Sequence, residues 1–289
     1  MWVTFGSTAL FVLLWGAGAI FAKWGLQHAS PFAFQLLRAG IAFVLLSIMG
    51  ISRGTWLPRR GTRARVAGTG LLLLGSYQIC YLLALDLGIT PGVLATLLGV
   101  QPILTLLLFE RRVSIPRLAG LGLAMGGVFL VVYHSVALAR FSMAGMLAAL
   151  AALASMTVGA ILQKGITQTP MVVLPLQYGV SLLLCVVFIP FKPMVVDFTP
   201  GFLVALAYMG VIISVGATLL LYRLIQAGNL VKVTSLFYLV PVVTALLDYL
   251  VLGNRLAPLS VLGMAAILLG LMLVFREAAP AVVAPRSEV

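Results

Sequence analysis

Apolar residues run in blocks of about twenty, the length of a membrane-crossing helix, with polar and turn-forming residues gathered between them. The blocks fall near residues 4–23, 32–50, 66–87, 90–109 and 116–134, and again near 142–163, 172–191, 201–226, 231–252 and 256–275. Breakers mark the ends: Ser30-Pro31, Gly88 to Gly92, Ser114 to Pro116, Thr169-Pro170 and Thr199 to Gly201. The pattern predicts ten membrane-spanning helices joined by short connections. Residues 278–289 carry two prolines and no periodicity, which predicts a disordered cytoplasmic tail. The first block has no basic segment before it and a second span directly after it, so it reads as a retained helix rather than a signal peptide.

Composition carries the same message. The chain is 63% hydrophobic and 8% charged, with a mean hydropathy of +1.20, against about a quarter charged in soluble domains. So little polar surface cannot cover so much apolar volume in water, which excludes a soluble core or a sizeable soluble catalytic domain. The net charge of +12 does not point to nucleic acid, because the basic residues sit between apolar blocks rather than along a polar face. It reads instead as topology and attraction to membrane lipid. Arg53, Arg59, Arg60, Arg63 and Arg65 follow span 2, and Arg111, Arg112 and Arg117 follow span 4, on the same side in a ten-span count. Lys164, Arg223, Lys232, Arg276 and Arg286 join them there, so both termini are expected in the cytoplasm. Cys80 and Cys185 lie inside apolar blocks without metal-ligand spacing and read as packing residues.

The chain is also doubled. A shift of 139 residues aligns Pro31, Arg38 and Gly40 with Pro170, Gln177 and Gly179, and aligns Pro102 and Thr105 with Pro241 and Thr244. Gly120 and Gly127 find counterparts in Gly263 and Gly270 after a few extra residues. Each half holds an odd number of spans, so the copies enter the membrane in opposite senses. The expected fold is an all-α membrane protein whose ten transmembrane helices form two inverted five-helix repeats, 1–139 and 140–277, an arrangement typical of secondary transporters.

Trp15-Gly16 in span 1, Lys23 at its end, Pro31 and Arg38 resemble the opening of an EamA domain. Gly228 to Pro241 and the run Leu252-Gly253-Asn254-Arg255-Leu256 resemble its close. The resemblance covers nearly the whole chain and implies a ten-span member of the drug/metabolite transporter superfamily, similar to bacterial inner-membrane exporters of amino acids, aromatic ones included. Two positions depart from the pattern: Asn254 stands where Glu is common, and Gln177 replaces a second Arg. The family layout implies a central cavity surrounded by spans 1, 3, 4, 6, 8 and 9, with 5 and 10 outside.

Polar residues inside spans are costly unless they face protein or a water-filled cavity, so they mark candidate pathway positions. They are Trp15 in span 1, Ser76, Tyr77, Gln78 and Tyr81 in span 3, and Thr96 and Gln101 in span 4. Ser155 and Thr157 in span 6, Ser214 and Thr218 in span 8 and Tyr238 in span 9 complete the candidate substrate-binding set. Each also suits helix–helix hydrogen bonding or aromatic packing. Pro102 and Pro241, at matching places in spans 4 and 9, read as gating hinges or as static kinks. Arg38 sits roughly 9 Å inside span 2; it would snorkel outward, pair with Asp86 or Asp248, or meet a substrate carboxylate.

Absences narrow the function. No Asp, Glu, His or Lys lies in the middle third of a span, and no Gly-rich phosphate loop with Lys is present. Hydrolytic chemistry and ATP as an energy source therefore lack their parts, and no cofactor or metal is expected. Hydroxyls, amides and aromatic faces in an apolar cavity suit small zwitterions such as amino acids. The sequence thus reads as a monomeric facilitator that exports amino acids by alternating access. A proton-coupled antiporter using Asp86 or Asp248 is the alternative, and a membrane scaffold or lipid-handling enzyme is the alternative from another class.

Overall fold

The computed structural model describes residues 2–110, 114–133, 142–191, 194–252 and 257–276; among them the regular elements are helices joined by short loops, with no strand. α1 (Trp2–Leu26) and α2 (Pro31–Ser52) are unbroken. The third apolar stretch divides into α3 (Arg63–Gly70), a π-helical segment Leu71–Ser76 and α4 (Tyr77–Asp86). The fourth breaks between α5 (Pro91–Leu98) and α6 (Gln101–Phe109). α7 (Ile115–Val131), α8 (Met143–Lys164) and α9 (Pro170–Phe188) follow. The eighth stretch comprises α10 (Pro200–Ala207), a second π segment Tyr208–Ala217 and α11 (Thr218–Ala227). The ninth comprises α12 (Leu230–Ser235), a 3-10 turn Leu236–Tyr238 and α13 (Leu239–Leu252), and α14 (Pro258–Arg276) comes last.

Among the described residues, nine helical stretches are long and apolar enough to cross a membrane. α7, at 17 residues, is shorter than the span expected over 116–134, and the chain beyond Tyr133 leaves the described residues. The tail at 278–289, Arg111, Arg112, Asn254, Arg255 and the side chain of Asp248 also lie outside them. Helix starts follow local chemistry. Proline opens α2, α5, α9 and α10 in the first turn, where a missing N–H costs nothing. Thr90, Ser142, Thr199 and Asn229 accept the backbone N–H of Val93, Gly145, Phe202 and Lys232, which satisfies donors that lipid could not.

Polar contacts define two ends of the bundle. At one, the residues after α1 meet those before α10: Ser30 N–H donates to Val195 O at 2.9 Å and Asp197 N–H to His28 O at 2.7 Å. At the other, Arg59 N–H donates to Gln168 Oε1 at 2.9 Å and Gln168 Nε2 to Thr62 Oγ1 at 2.7 Å. Lys164 Nζ donates there to the carbonyls of Ile225, Gln226 and Gly228, and the buried Arg117 guanidinium pairs with Glu110 and donates to Asn229. The second end carries Arg53, Arg59, Arg60, Arg63 and Arg65, with Lys232 reaching Phe275 O at 3.0 Å. Between the ends, α2 packs on α9, α1 on α13 and the second π segment, and α8 on α4 and the first π segment.

α7 and α14 meet backbone to backbone. A Cβ on Gly120 would lie 2.7 Å from Gly270 O, and one on Gly127 would lie 2.6 Å from Gly263 O, closer than van der Waals contact allows. The opposite face of α7 is open: nothing lies within 4 Å of a Cβ on Gly122 or Gly126. Gly127→Ala should therefore destabilise the protein by ~1–3 kcal/mol through overpacking, whereas Gly122→Ala should be neutral. Thermal unfolding of both variants in detergent checks this; equal melting temperatures for the two would contradict the packing described.

Candidate functional site

The site grows from places where regular helix gives way. Pro102 and Pro241 cannot donate to the helix ladder. The chain breaks at Gly99 and Val100 ahead of the first, and tightens into the 3-10 turn ahead of the second. In the second π segment and at its end, the hydroxyls of Ser214 and Thr218 donate five residues back, to Met209 O at 2.8 Å and Ile213 O at 3.0 Å. In the first, Leu74 O accepts Ser181 Oγ from α9 at 2.9 Å and Gln35 Nε2 from α2 at 3.4 Å. Side chains thus add a hydrogen bond to carbonyls of the wider turns.

A cavity of about 330 Å³ lies among these irregular stretches, a volume suited to a small solute. Trp15, Gly18 and Ala22 of α1, Tyr77, Gln78 and Tyr81 of α4, and Ala95 and Leu98 of α5 form part of its wall. Gln101, Met156, Met209, Ile213, Phe237, Tyr238, Pro241 and Thr244 also line it, with Arg38 from α2. Ala22 near the end of α1 and Gly92 at the start of α5 place the cavity in the half of the bundle away from the basic end. On the basic side Phe11, Trp15 and Phe237 cluster with ring centroids 5.2–5.5 Å apart, and Phe11 is fully buried.

Among the described residues, Arg38 is the charged side chain of this wall. It is 4% exposed; its Nε donates to Ser214 Oγ at 2.7 Å and its Nη1 to Gln78 Oε1 at 2.9 Å. The expectation that it snorkels or pairs with Asp86 is therefore corrected. Asp86 is exposed at the end of α4, eight residues or about 12 Å along the helix from Gln78. Two more buried wall residues, Gln101 and Tyr238, keep Gln101 Oε1 and Tyr238 Oη without a hydrogen-bond partner, a cost of ~1–3 kcal/mol each when left unmet.

Of the residues singled out from sequence, Trp15, Arg38, Tyr77, Gln78, Tyr81, Gln101, Tyr238 and Pro241 come together on the cavity wall. Ser76, Thr96, Ser155, Thr157, Ser214, Thr218 and Pro102 stand off it. Thr96 and Thr157 donate to carbonyls one turn back, Gly92 O and Leu153 O, and Ser214 acts behind Arg38. Val128 and Val131 of α7 also reach the cavity, so span 5 is not wholly outside it. These valines, with Met156, Met209 and Ile213, were invisible in the sequence because an apolar residue facing a cavity looks like one facing lipid.

Comparisons with known proteins agree on the class. The family model described as the EamA-like transporter family matches residues 3–133 and again 143–276. A Salmonella typhimurium (strain LT2) protein, described as "Probable amino-acid metabolite efflux pump", is 30% identical over 165 residues, covering 55% of this chain. The match spans about half of that relative's length, 52%. A solved structure, described only as the crystal structure of a protein, is similar with a TM-score of 0.74 over 93% of this chain and 97% of its own. At 20% identity it speaks for the fold alone.

Ser214 and Ser155 offer a contrast between a serine that holds the wall and one that does not. Ser214→Ala should cost ~1.5–3 kcal/mol, the worth of a hydrogen bond to a charged group, and lower solute binding. Ser155→Ala should leave both unchanged. Thermal unfolding and ligand titration of the two variants check this, and indistinguishable behaviour would contradict the role given to Ser214.

Proposed function

The chain belongs to the EamA-like transporter family, and on that premise we propose that it exports amino acids, aromatic and other neutral ones included, and related small metabolites across a bacterial inner membrane. Its being a membrane transporter rather than an enzyme follows from the family; the solute and the mechanism are this reading. The observation that carries it is the cavity of about 330 Å³, walled by aromatic rings and thioethers with a few amides and hydroxyls. An aromatic or aliphatic amino acid finds an apolar seat there and polar groups for its head. The name of the Salmonella typhimurium relative agrees with such a cargo.

Alternating access is supported by the pattern of packing. Two five-helix halves, 1–139 and 140–277, inverted with respect to each other, would pair each helix with the counterpart of its partner's match. That is how α1 with α13 answers α8 with α5 and α6, while α2 packs on α9 and α7 on α14. The basic end lies in the cytoplasm by the positive-inside rule, with both termini on that side. The cavity then faces outward, closed from the cytoplasm by Phe11, Trp15 and Phe237. Opening inward would part the bonds from Lys164 to Ile225, Gln226 and Gly228. Among the described residues the cavity wall contains no Asp, Glu, His or Lys, which favours facilitated transport by a monomer over a proton-coupled antiporter.

In proteoliposomes, labelled phenylalanine should equilibrate with the lumen at a rate indifferent to an imposed pH gradient. Tyr81→Ala should slow it several-fold, the scale of one lost aromatic contact. Exclusion of phenylalanine by folded protein would overturn the amino-acid assignment, and pH-driven accumulation would overturn the facilitator.

A further inference from the structure

We infer that Arg38 and Gln78 form a carboxylate receptor in the cavity wall, so that a solute is recognised by its carboxylate and its amine is dispensable. The inference rests on the reading of the cavity as the solute site. Arg38 is buried in the span with two neutral partners, Ser214 Oγ and Gln78 Oε1, and among the described residues no carboxylate pairs with it. Its third nitrogen, Nη2, makes no hydrogen bond with the described residues, yet it is not among the sealed, unpartnered atoms of the interior. It therefore has access to the cavity that Arg38 lines.

Gln78 is set by the same contact. Its one acceptor, Oε1, is taken by Arg38 Nη1, which leaves the Nε2 donor beside the cavity with no protein partner among the described residues. A guanidinium N–H and an amide N–H are thus both unspent on neighbouring turns of α2 and α4. A buried cation without a counter-charge is costly, and a planar carboxylate fits a guanidinium edge better than other anions of one charge. The phenolic hydroxyls of Tyr77 and Tyr81 stand on the same wall.

Among the described residues the wall offers nothing comparable to an amine, because no Asp or Glu of theirs lies on it. Among the described residues the wall also holds no second cation for a dianion. Gln177, which the 139-residue shift aligns with Arg38, accepts from Tyr222 Oη at 2.7 Å and donates to Gln163 Oε1 at 3.0 Å, in a neutral chain away from the cavity. The ligand class is a small monocarboxylate with an aromatic or aliphatic body. α-Amino acids are one branch of it, and their deaminated or N-acylated counterparts are another.

Calorimetric titration of the purified full chain with phenylalanine, 3-phenylpropionate and phenethylamine tests this, since the last two each keep one of the two charged groups. 3-Phenylpropionate should bind at least as well as phenylalanine, and phenethylamine at least tenfold more weakly. Arg38→Gln should weaken both carboxylates tenfold or more, with folding checked by thermal unfolding, and Arg38→Lys should restore part of the loss. The series on the unmodified chain decides the matter even where Arg38→Gln fails to fold. Phenethylamine binding as tightly as phenylalanine would overturn the receptor while leaving the amino-acid carrier standing. Tight 3-phenylpropionate without phenylalanine binding would keep the receptor and overturn the amino-acid cargo. No binding of any of the three by folded protein would overturn both.

Discussion

Lipid offers no hydrogen-bond partner, so polar groups inside the bilayer are costly unless they meet a partner in the protein or face a water-filled cavity. The interior of this bundle is arranged around that constraint. Where two stretches widen into π turns, hydroxyls and amides from the same or facing helices reach carbonyls of those turns: Ser214 to Met209 O, Thr218 to Ile213 O, and Ser181 and Gln35 to Leu74 O. Tyr178 Oη, from α9, closes the set by donating to Ser214 O at 2.6 Å. The same groups hold the guanidinium of Arg38, for Ser214 Oγ both donates to the π turn and accepts from Arg38 Nε. The irregular backbone and the buried charge are therefore one structure.

That coupling explains where the cavity sits. π turns and proline breaks keep the helices from packing as straight rods, and the space left between them is walled by α1, α4, α5 and the stretch around Pro241. Close packing is kept elsewhere. The glycine faces of α7 and α14 bring backbones together on one flank, and the Lys164, Arg117, Glu110 and Asn229 contacts draw the basic end shut. The alternating access proposed above would use both, a rigid frame and an interior seam that can part on one side at a time.

Much of this was legible in the chain beforehand. Block length gave away the helices, since the thickness of a bilayer fixes it, and the two helix breaks followed from Pro102 and Pro241, because proline lacks the donor a helix needs. The depth of Arg38 could be counted from Pro31, but its partners could not: Gln78 and Ser214 lie 40 and 176 residues away. The π turns left no mark in residue type. An α-helical register would aim Ser214 and Thr218 at a solute, whereas the π turn directs their hydroxyls to its own carbonyls, Met209 O and Ile213 O. The apolar part of the wall, Val128 and Met209 among it, had no signal at all.

The central claim is that this cavity is where the solute sits, and chemical access to it gives the most direct test. Ala95 lines the cavity; Ala95→Cys, placed in a chain whose Cys80 and Cys185 are changed to Ala, puts a single thiol on the wall. In right-side-out membrane vesicles an impermeant maleimide should label that thiol, and phenylalanine should slow the labelling in proportion to its occupancy. Labelling at the same rate with and without saturating phenylalanine, or only after denaturation, would contradict the account.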